Sequence, residues 1–304
     1  ALKWADDLYE TTLTGIEWQT SRTGLINPVA VFEPVNLDGA VTARATLHNL
    51  SYIEDLELGV GDAIQIYRSN MVIPKVHDNL TRSNTWSYPK TCPTCGYPTE
   101  IHNENGSKTL HCTNPACKAK LINRLVNFVS RKCMNIDGLS EETLTKFVKW
   151  GWVKNLFDVY NLTLHYSELE KVSGFGKRSV EKLQKAIENS KSVELDHFIA
   201  ALSIPGIGTA QAKELAKKFK TWEAFEDAGC GNYDFSKLDS FGEVANRNIH
   251  TWFCTMYQED HISQLVRNLH FIGENNANKD ESLAGLTFVI TGSLNHFENR
   301  DALK

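Results

Sequence analysis

The chain lacks the features that would direct it to a membrane or out of the cell. No run of about eighteen apolar residues is present, and no secretory apolar segment opens the sequence, so we predict no membrane partner. The net charge of −5 disfavours a generic nucleic-acid coat protein. Three of the seven cysteines, Cys133, Cys230 and Cys254, lie outside the close pairs described below. An odd remainder without a secretory signal favours a reducing, cytoplasmic location.

The chain also lacks an initiator methionine, since it begins at Ala1. A length of 304 residues with 41% apolar content is enough for two or more packed domains. Because the last residues read as the start of a further domain, we expect a segment of a longer protein.

Two close pairs of cysteines, Cys92/Cys95 and Cys112/Cys117, stand sixteen residues apart around a predicted hairpin. Four thiolates at this spacing are typical of a closed tetrahedral Zn²⁺ site with no open coordination position. We therefore predict a structural zinc module over residues 87–120, with the four cysteines as ligands. The alternatives are two disulfides or four unlinked thiols.

The first ninety residues contain strand-like segments between turn signals. The five predicted strands are residues 16–20, 29–33, 40–45, 63–68 and 72–77. Residues 48–58 carry apolar residues at helical spacing, with a predicted helix cap at Asn49 or Ser51. Three strands, a short helix and two strands are the order of an OB-fold barrel, which we predict over residues 7–86. Such barrels commonly bind nucleic-acid backbones.

Arg22 stands at the tip of a predicted turn between two strands, in Ser21-Arg22-Thr23-Gly24. A guanidinium there can donate two parallel hydrogen bonds to a phosphate. The local sequence favours a solvated turn residue over such a contact, and both interpretations stay open at this point.

Residues 121–272 contain an internal repeat. Four segments have the pattern apolar-x-Gly-apolar-Gly or a close variant: residues 136–140, 172–176, 204–208 and 238–242. Their central positions are 36, 32 and 34 residues apart, and an amphipathic helix is predicted before the first, over residues 118–131. A helical run is predicted after each segment: residues 143–150, 179–190, 210–219 and 244–257. Self-similarity at this period predicts four helix-hairpin-helix repeats.

The hairpin pattern indicates an anion-binding turn. Glycines permit close approach and positive φ, and the turn amides with the next helix N-terminus then bind an anion. On DNA that anion is a backbone phosphate, so the contact does not depend on base sequence. We expect such hairpins to bind a duplex or a nick from the minor-groove side and to recognise its shape. The candidate DNA-binding residues are Gly138, Gly174, Gly176, Lys177, Gly206, Gly208 and Gly242. Residues 171–220 carry ten Lys/Arg against five Asp/Glu, so a basic module lies within an acidic chain.

Hairpins one and four each keep a single glycine of the pair, Gly138 and Gly242. For these two, packing rather than phosphate binding is an open alternative.

The last segment reads as an unfinished domain. Residues 283–292 resemble a buried strand ending in Thr-Gly, and the polar residues 273–282 before it read as a linker. One strand and part of a helix cannot bury a core, so the segment is predicted to be truncated.

These features, in this order, resemble the C-terminal portion of NAD-dependent DNA ligases. The specific matches are Leu2-Lys3-Trp4, Arg22-Thr23-Gly24, residues 45–49, Val72-Ile73-Pro74, the four cysteines, residues 128–131 and residues 136–139. The resemblance implies a multidomain protein: an all-β OB-fold barrel, a small four-cysteine zinc module, an all-α tandem helix-hairpin-helix domain and a partial α/β BRCT tail. Residues 1–6 resemble the end of a nucleotidyltransferase domain and residues 283–304 the start of a BRCT domain.

The resemblance also implies a reaction, the sealing of nicks in duplex DNA during replication and repair. In this family a lysine attacks NAD and takes AMP, and the AMP then passes to the 5′-phosphate of the nick. The 3′-hydroxyl next attacks that phosphate and displaces AMP, while Lys, Arg and Mg²⁺ stabilise the negative charge of the phosphates. That lysine lies in a Lys-x-Asp-Gly motif, which this chain lacks, so we expect this segment alone to be inactive.

The resemblance assigns roles to two further residues. Lys3 matches a lysine that touches the nucleotide phosphate, and Arg22 matches a barrel arginine that meets the nick or the nucleotide. The chain departs from the family at Leu2, Trp4 and Ala5, where Tyr-Lys-Phe-Pro is usual, and at Ser21, where glycine is common.

Our first hypothesis is therefore a monomeric, nick-clamping ligase segment that binds nicked double-stranded DNA. The second is a non-enzymatic adaptor for DNA structures that reuses these modules. The third is a protein-interaction scaffold in which the zinc module and hairpins only pack.

Overall fold

The computed structural model describes residues 7–37, 39–69, 73–104, 106–172 and 174–272, all within one compact unit, Ala1–Ile272. Four predictions lie outside the described residues: the nucleotidyltransferase end at 1–6 with Lys3, the strand start at Val72, the linker at 273–282 and the BRCT tail at 283–304.

Five strands and one short helix form a closed barrel. They are β1 Tyr9–Thr20, β2 Leu25–Leu37, β3 Ala40–Thr46, α1 Leu50–Asp55, β4 Ala63–Ser69 and β5 Ile73–Asn79. The strand order is β1-β4-β5-β3-β2, and β1 also pairs with β2, which closes the sheet on itself. Asn49 caps α1, and its Oδ1 accepts a hydrogen bond of 2.9 Å from the Tyr52 N–H. The predicted OB-fold barrel is confirmed.

The first strand is longer than residues 16–20 because it pairs with two neighbours. Its first part, from Tyr9 to Thr12, pairs with β4, and its later part pairs with β2. The register of the β1–β2 pair shifts between Leu13 and Gly15. Such a bulge bends a strand and increases its twist, which lets one strand pass between two partners of a small barrel.

The predicted cysteine hairpin extends the barrel sheet. It consists of β6 Thr99–Glu104 and β7 Ser107–Cys112, and β7 pairs antiparallel with β2. Two register pairs make this junction, Leu25↔His111 and Ile26↔Leu110. The sheet therefore carries the cysteine module directly beside the turn that contains Arg22.

The remainder is helical and surrounds one hydrophobic core that runs from Leu125 to Leu265. The helices are α2 Lys118–Val129, α3 Glu141–Trp150, α4 Tyr166–Leu169, α5 Lys177–Asn189, α6 Leu195–Ala201, α7 Thr209–Phe219, α8 Trp222–Cys230, α9 Glu243–Cys254, α10 Met256–Glu259 and α11 Ile262–Val266, with 3₁₀ turns at Phe157–His165 and Phe235–Lys237. Two short strands, β8 Ser192–Glu194 and β9 His270–Ile272, pair in parallel.

Two predicted helix ends are wrong. The helix predicted over 118–131 ends at Val129, because Ser130 turns to an extended conformation with ψ 158°. The run predicted over 244–257 is interrupted at Thr255, where ψ is −72° and the hydroxyl donates 2.8 Å to the Thr251 carbonyl. A side chain that bonds the preceding turn in this way commonly bends or ends a helix.

Sequence patterns missed most of the helices that precede the turns, such as α4 and α6, because these have only four and seven residues. Within the residues that the structure describes, no helix is long and apolar enough to cross a membrane.

Candidate nucleic-acid interface and cysteine cluster

The four hairpin turns share one backbone shape. At the same repeat position, Gly138, Gly174, Gly206 and Ser240 all have positive φ, at 96°, 91°, 79° and 66°. This left-handed conformation is readily adopted by glycine and costs other residues energy. The repeat therefore extends to hairpin four, where serine takes the glycine position.

Two residues after each left-handed position lies the capping residue of the next helix, and this residue differs between hairpins. Ser140 caps α3, and its hydroxyl accepts a hydrogen bond of 3.3 Å from the Thr143 N–H. Gly176, Gly208 and Gly242 cap α5, α7 and α9, and a glycine has no side chain to accept from the first-turn amides. Helices α5, α7 and α9 therefore begin without the cap on their first-turn amides that α3 has, although in hairpin three the Gly208 N–H itself donates 3.3 Å to the Gln211 Oε1.

Charge separates the hairpins further. The first turn of α3 carries Glu141 and Glu142, and that of α9 carries Glu243. The first turns of α5 and α7 carry no acidic residue, and α5 begins with Lys177 and Arg178, both exposed. A carboxylate at a helix N-terminus satisfies the positive end of the dipole, whereas a cation adds to it. Hairpins two and three thus combine glycine caps with a first turn free of acid.

All of the candidate turn glycines are exposed, and their neighbourhoods differ slightly. A Cβ atom at Gly174, Gly176 or Gly242 would meet no heavy atom within 4 Å, so another backbone can approach there. At Gly206 such an atom would lie 3.7 Å from the Asn248 amide nitrogen. Asn248 donates 3.0 Å to the Pro205 carbonyl, which links α9 to hairpin three.

The four cysteines of the predicted zinc module converge. Their sulfur atoms all lie within 4.8 Å of one another, with 4.0 Å between Cys92 and Cys117 and 3.6 Å between Cys95 and Cys112. All four are free thiols, and three of them are buried. The disulfide alternative is therefore wrong, and the cluster has the shape of a site that could hold a metal ion.

The ionisation of the cluster is uneven. Burial raises the pKa of Cys112 to about 12 and also raises that of Cys117. At Cys92 burial acts in the same direction, but hydrogen bonds from the Thr20 hydroxyl and nearby backbone N–H groups outweigh it, and the pKa is lowered to about 6. The protein alone therefore stabilises one thiolate, whereas binding a cation through four thiolates would release the remaining protons.

Arg22 lies in a turn that the cysteine module braces. The Cys112 N–H donates 2.9 Å to the Gly24 carbonyl, and the Lys120 ammonium donates 2.9 Å to the Cys112 carbonyl. The half-buried Arg22 side chain reaches across to α2, where its Nη1 donates 2.9 Å to Asn127 Oδ1. A shallow groove of about 490 Å³ runs between this turn and α2.

Sequence reasoning missed Asn127 and Asn123, which hold the barrel turn against α2. The available signal was two amides four residues apart on a helix whose apolar face carries Leu125 and Phe128. Residues at that spacing lie on one face of a helix, so these two amides are placed to contact the same neighbouring element. The sequence does not say that this neighbour is the barrel.

Comparison with known proteins agrees with this architecture. Residues 10–87 match the family model for the NAD-dependent DNA ligase OB-fold domain, and residues 197–262 match that for the helix-hairpin-helix motif. A DNA ligase of Lachnoclostridium phytofermentans is 42% identical over 315 residues, which cover 100% of this chain and 46% of that protein. A DNA ligase of Ruminiclostridium cellulolyticum is 39% identical over 308 residues, with the same coverages of 100% and 46%.

Over its whole length the chain is thus similar to DNA ligases, and its barrel matches the OB-fold domain of the NAD-dependent ones. The chain matches the C-terminal part of an NAD-dependent DNA ligase. It spans about half the length of the curated relatives that it matches, 46% for the two named above.

Proposed function

We propose that this chain is the DNA-binding, nick-clamping part of an NAD-dependent DNA ligase that joins 3′-hydroxyl and 5′-phosphate ends in duplex DNA. The observation that carries the proposal is the pair of glycine-capped helices α5 and α7, whose first turns hold no acidic residue. Amides at such helix ends bind phosphate oxygens without reading base sequence.

Phosphate contact is assigned mainly to hairpins two and three. Gly174 and Gly176 leave open space for a DNA backbone, and Lys177 supplies a cation at the same helix end. Gly206 and Gly208 form the equivalent turn of hairpin three. Hairpins one and four, which contain Gly138 and Gly242, have the same turn geometry, but the neighbouring glutamates oppose a phosphate.

Arg22 is assigned to a phosphate at the nick or on the nucleotide. It lies beside an open groove, and among the described residues no carboxylate lies within ion-pair distance of it. A guanidinium with a free charge is suited to a phosphate ligand.

The cysteine cluster is assigned to a structural Zn²⁺ ion held by Cys92, Cys95, Cys112 and Cys117. Four thiolates are the donor set that structural zinc prefers, and they leave no open position for catalysis. Such a cluster needs reduced thiols, which supports a cytoplasmic location. NAD, Mg²⁺ and a nucleotide contact by Lys3 belong to the whole enzyme in this proposal.

The proposed domain division assigns residues 7–86 to the barrel, 87–120 to the zinc module and 121–272 to the four hairpins. The proposal also includes a monomeric state, which light scattering would test. A dimer would contradict that part alone.

The alternative is a non-enzymatic adaptor for DNA structures that reuses these modules. Incubation with adenylate-labelled NAD should leave this chain unlabelled. Addition of a separately expressed nucleotidyltransferase domain from a related ligase should restore sealing if the chain is a ligase segment. No sealing would favour the adaptor.

The direct test of DNA binding is the affinity for a labelled nicked duplex, measured across salt concentrations. We expect binding that weakens steeply with salt, because each phosphate contact contributes a slope of about −0.9 in log–log terms. An intact duplex of the same sequence is the control for the nick. Salt-independent binding, or none, would favour a scaffold role.

A further inference from the structure

Arg22 is held in place by a neutral side chain. Its Nη1 donates 2.9 Å to the Asn127 Oδ1, and among the described residues it takes part in no ion pair. An aspartate in this position would cancel the charge of the guanidinium, whereas an asparagine fixes its direction and leaves the charge available.

The orientation of the Asn127 amide is determined by its other contacts. Its Nδ2 donates 3.0 Å to the Ala200 carbonyl and 3.0 Å to the Ser203 hydroxyl. Ala200 lies in the last turn of α6 and Ser203 just after that helix, immediately before the turn of hairpin three. Because the amide nitrogen must face these acceptors, the amide oxygen must face Arg22.

Asn127 therefore joins two regions that the proposed function assigns to DNA. On one side is the barrel arginine, and on the other is the chain that leads into Gly206 and Gly208. Ser203 is buried, and its backbone is left-handed with φ 57°. A non-glycine residue keeps this conformation only where the surrounding structure fixes it, so the position of the Ser203 hydroxyl is well defined.

We infer that Asn127 is a positioning residue, which aims the Arg22 guanidinium at a DNA phosphate in the groove and sets its distance from hairpin three. The inference rests on the proposed function, because it requires that Arg22 contact phosphate. It adds a neutral orienting partner for that contact, and a physical reason for an amide at this position.

The test compares four variants of this chain in nicked-duplex binding: Asn127→Leu, Arg22→Gln, the double variant, and Asn268→Leu as the control. Leucine is similar in size to asparagine and adds no charge that would itself repel a phosphate. Asn268 is exposed, is not among the residues that line the groove beside Arg22, and its Nδ2 donates 2.9 Å to the Gln264 carbonyl. The control therefore breaks an amide–carbonyl bond of the same kind away from that groove.

We expect Asn127→Leu and Arg22→Gln each to weaken binding about tenfold, the range of one charge-assisted hydrogen bond. Each should also reduce the salt slope by about 0.9, the signature of one lost phosphate contact, which a purely structural role would not change. The double variant should bind within about twofold of Arg22→Gln, because Asn127 acts through the arginine. Asn268→Leu should keep the original slope.

Several outcomes would overturn the inference. If the losses of the two single variants multiplied in the double variant, or if Asn268→Leu had the same effect as Asn127→Leu, Asn127 would not act through Arg22. An unchanged affinity in Arg22→Gln would mean that there is no contact to position. Failure of the unmodified chain to bind would overturn the proposed function as well, whereas the other results would leave it standing.

Discussion

Hairpins two and three differ from hairpins one and four at the point where a ligand would bind, although all four have the same turn. The left-handed residue recurs in each, but only hairpins two and three combine a glycine cap with a helix start free of acid. Hairpin one replaces the glycine cap with Ser140, and hairpin four keeps Gly242 but places Glu243 beside it.

This comparison separates two roles of one motif. The turn geometry allows two helices to pack at a sharp angle, and all four hairpins use it to build one core. Anion binding needs more: free amides, open space and a positive local field. A helix-hairpin-helix pattern therefore predicts packing wherever it occurs, and phosphate binding only where the helix start is left open.

The largest expected effect comes from Cys112→Ser, which tests the comparison because hairpin one is the hairpin that follows the cysteine cluster directly in the chain. Helix α2, the first helix of that hairpin, starts directly after Cys117. We expect loss of the bound metal and a fall of several kcal/mol in the free energy of unfolding, because metal binding is coupled to folding. Metal analysis and hydrogen exchange check this, with α2 losing protection and α7 keeping it.

Cys254→Ser is the matched control, since Cys254 is exposed and outside the cluster. It should retain the metal and the stability of the unmodified chain. If Cys112→Ser also kept its metal, the assignment of the cluster would be wrong.

Gly176→Ser should have the next largest effect, because it gives hairpin two the cap of hairpin one. The backbone at Gly176 is extended, with φ −98°, and there is room for a side chain, so the fold should tolerate serine. The hydroxyl would bind first-turn amides, as Ser140 does, and obstruct a phosphate. We expect binding to a nicked duplex to weaken about tenfold, with thermal stability unchanged or higher.

Gly242→Ser makes the same change in hairpin four and is its control. Because Glu243 already opposes a phosphate there, duplex binding should not change. Equal losses from both substitutions would mean that hairpin four binds DNA as hairpin two does.

Lys177→Gln is expected to have a smaller effect. It tests whether the positive charge at the start of α5 contributes to the difference between hairpins two and four. Removal of one phosphate-contacting cation should reduce the salt slope by about 0.9 and weaken binding several-fold at low salt. Lys237→Gln is the control in hairpin four, where Lys237 is exposed and pairs with Asp234 at 3.5 Å. An unchanged slope in Lys177→Gln would remove Lys177 from the interface.

Ser240→Gly should have the smallest effect and separates shape from charge. Serine at φ 66° is strained, so glycine should stabilise the chain, by no more than about 1 kcal/mol after its greater freedom in the unfolded state is counted. Denaturant unfolding measures this. DNA binding should not improve while Glu243 remains, and an improvement would mean that turn shape alone limits hairpin four.

Much of this architecture is readable without coordinates, because its signals are local. The spacing of the four cysteines, the order of strands and helix in residues 7–86 and the recurrence of glycine every few tens of residues each reflect one nearby constraint. The helix break at Thr255 was not predicted, because it depends on a side chain bonding its own preceding turn. Short helices such as α4 were missed, because four residues have no periodicity to detect.

The sequence by itself determined the barrel, the convergence of the four cysteines and the four turns, because propensities, spacing and glycine conformations act over a few residues. Only the tertiary structure decided that β7 joins the barrel sheet, that Asn127 links Arg22 to hairpin three, and that four equivalent turns have different surroundings. These contacts join residues as far as 105 positions apart, as between Arg22 and Asn127. No local pattern encodes them, because each depends on how whole elements pack.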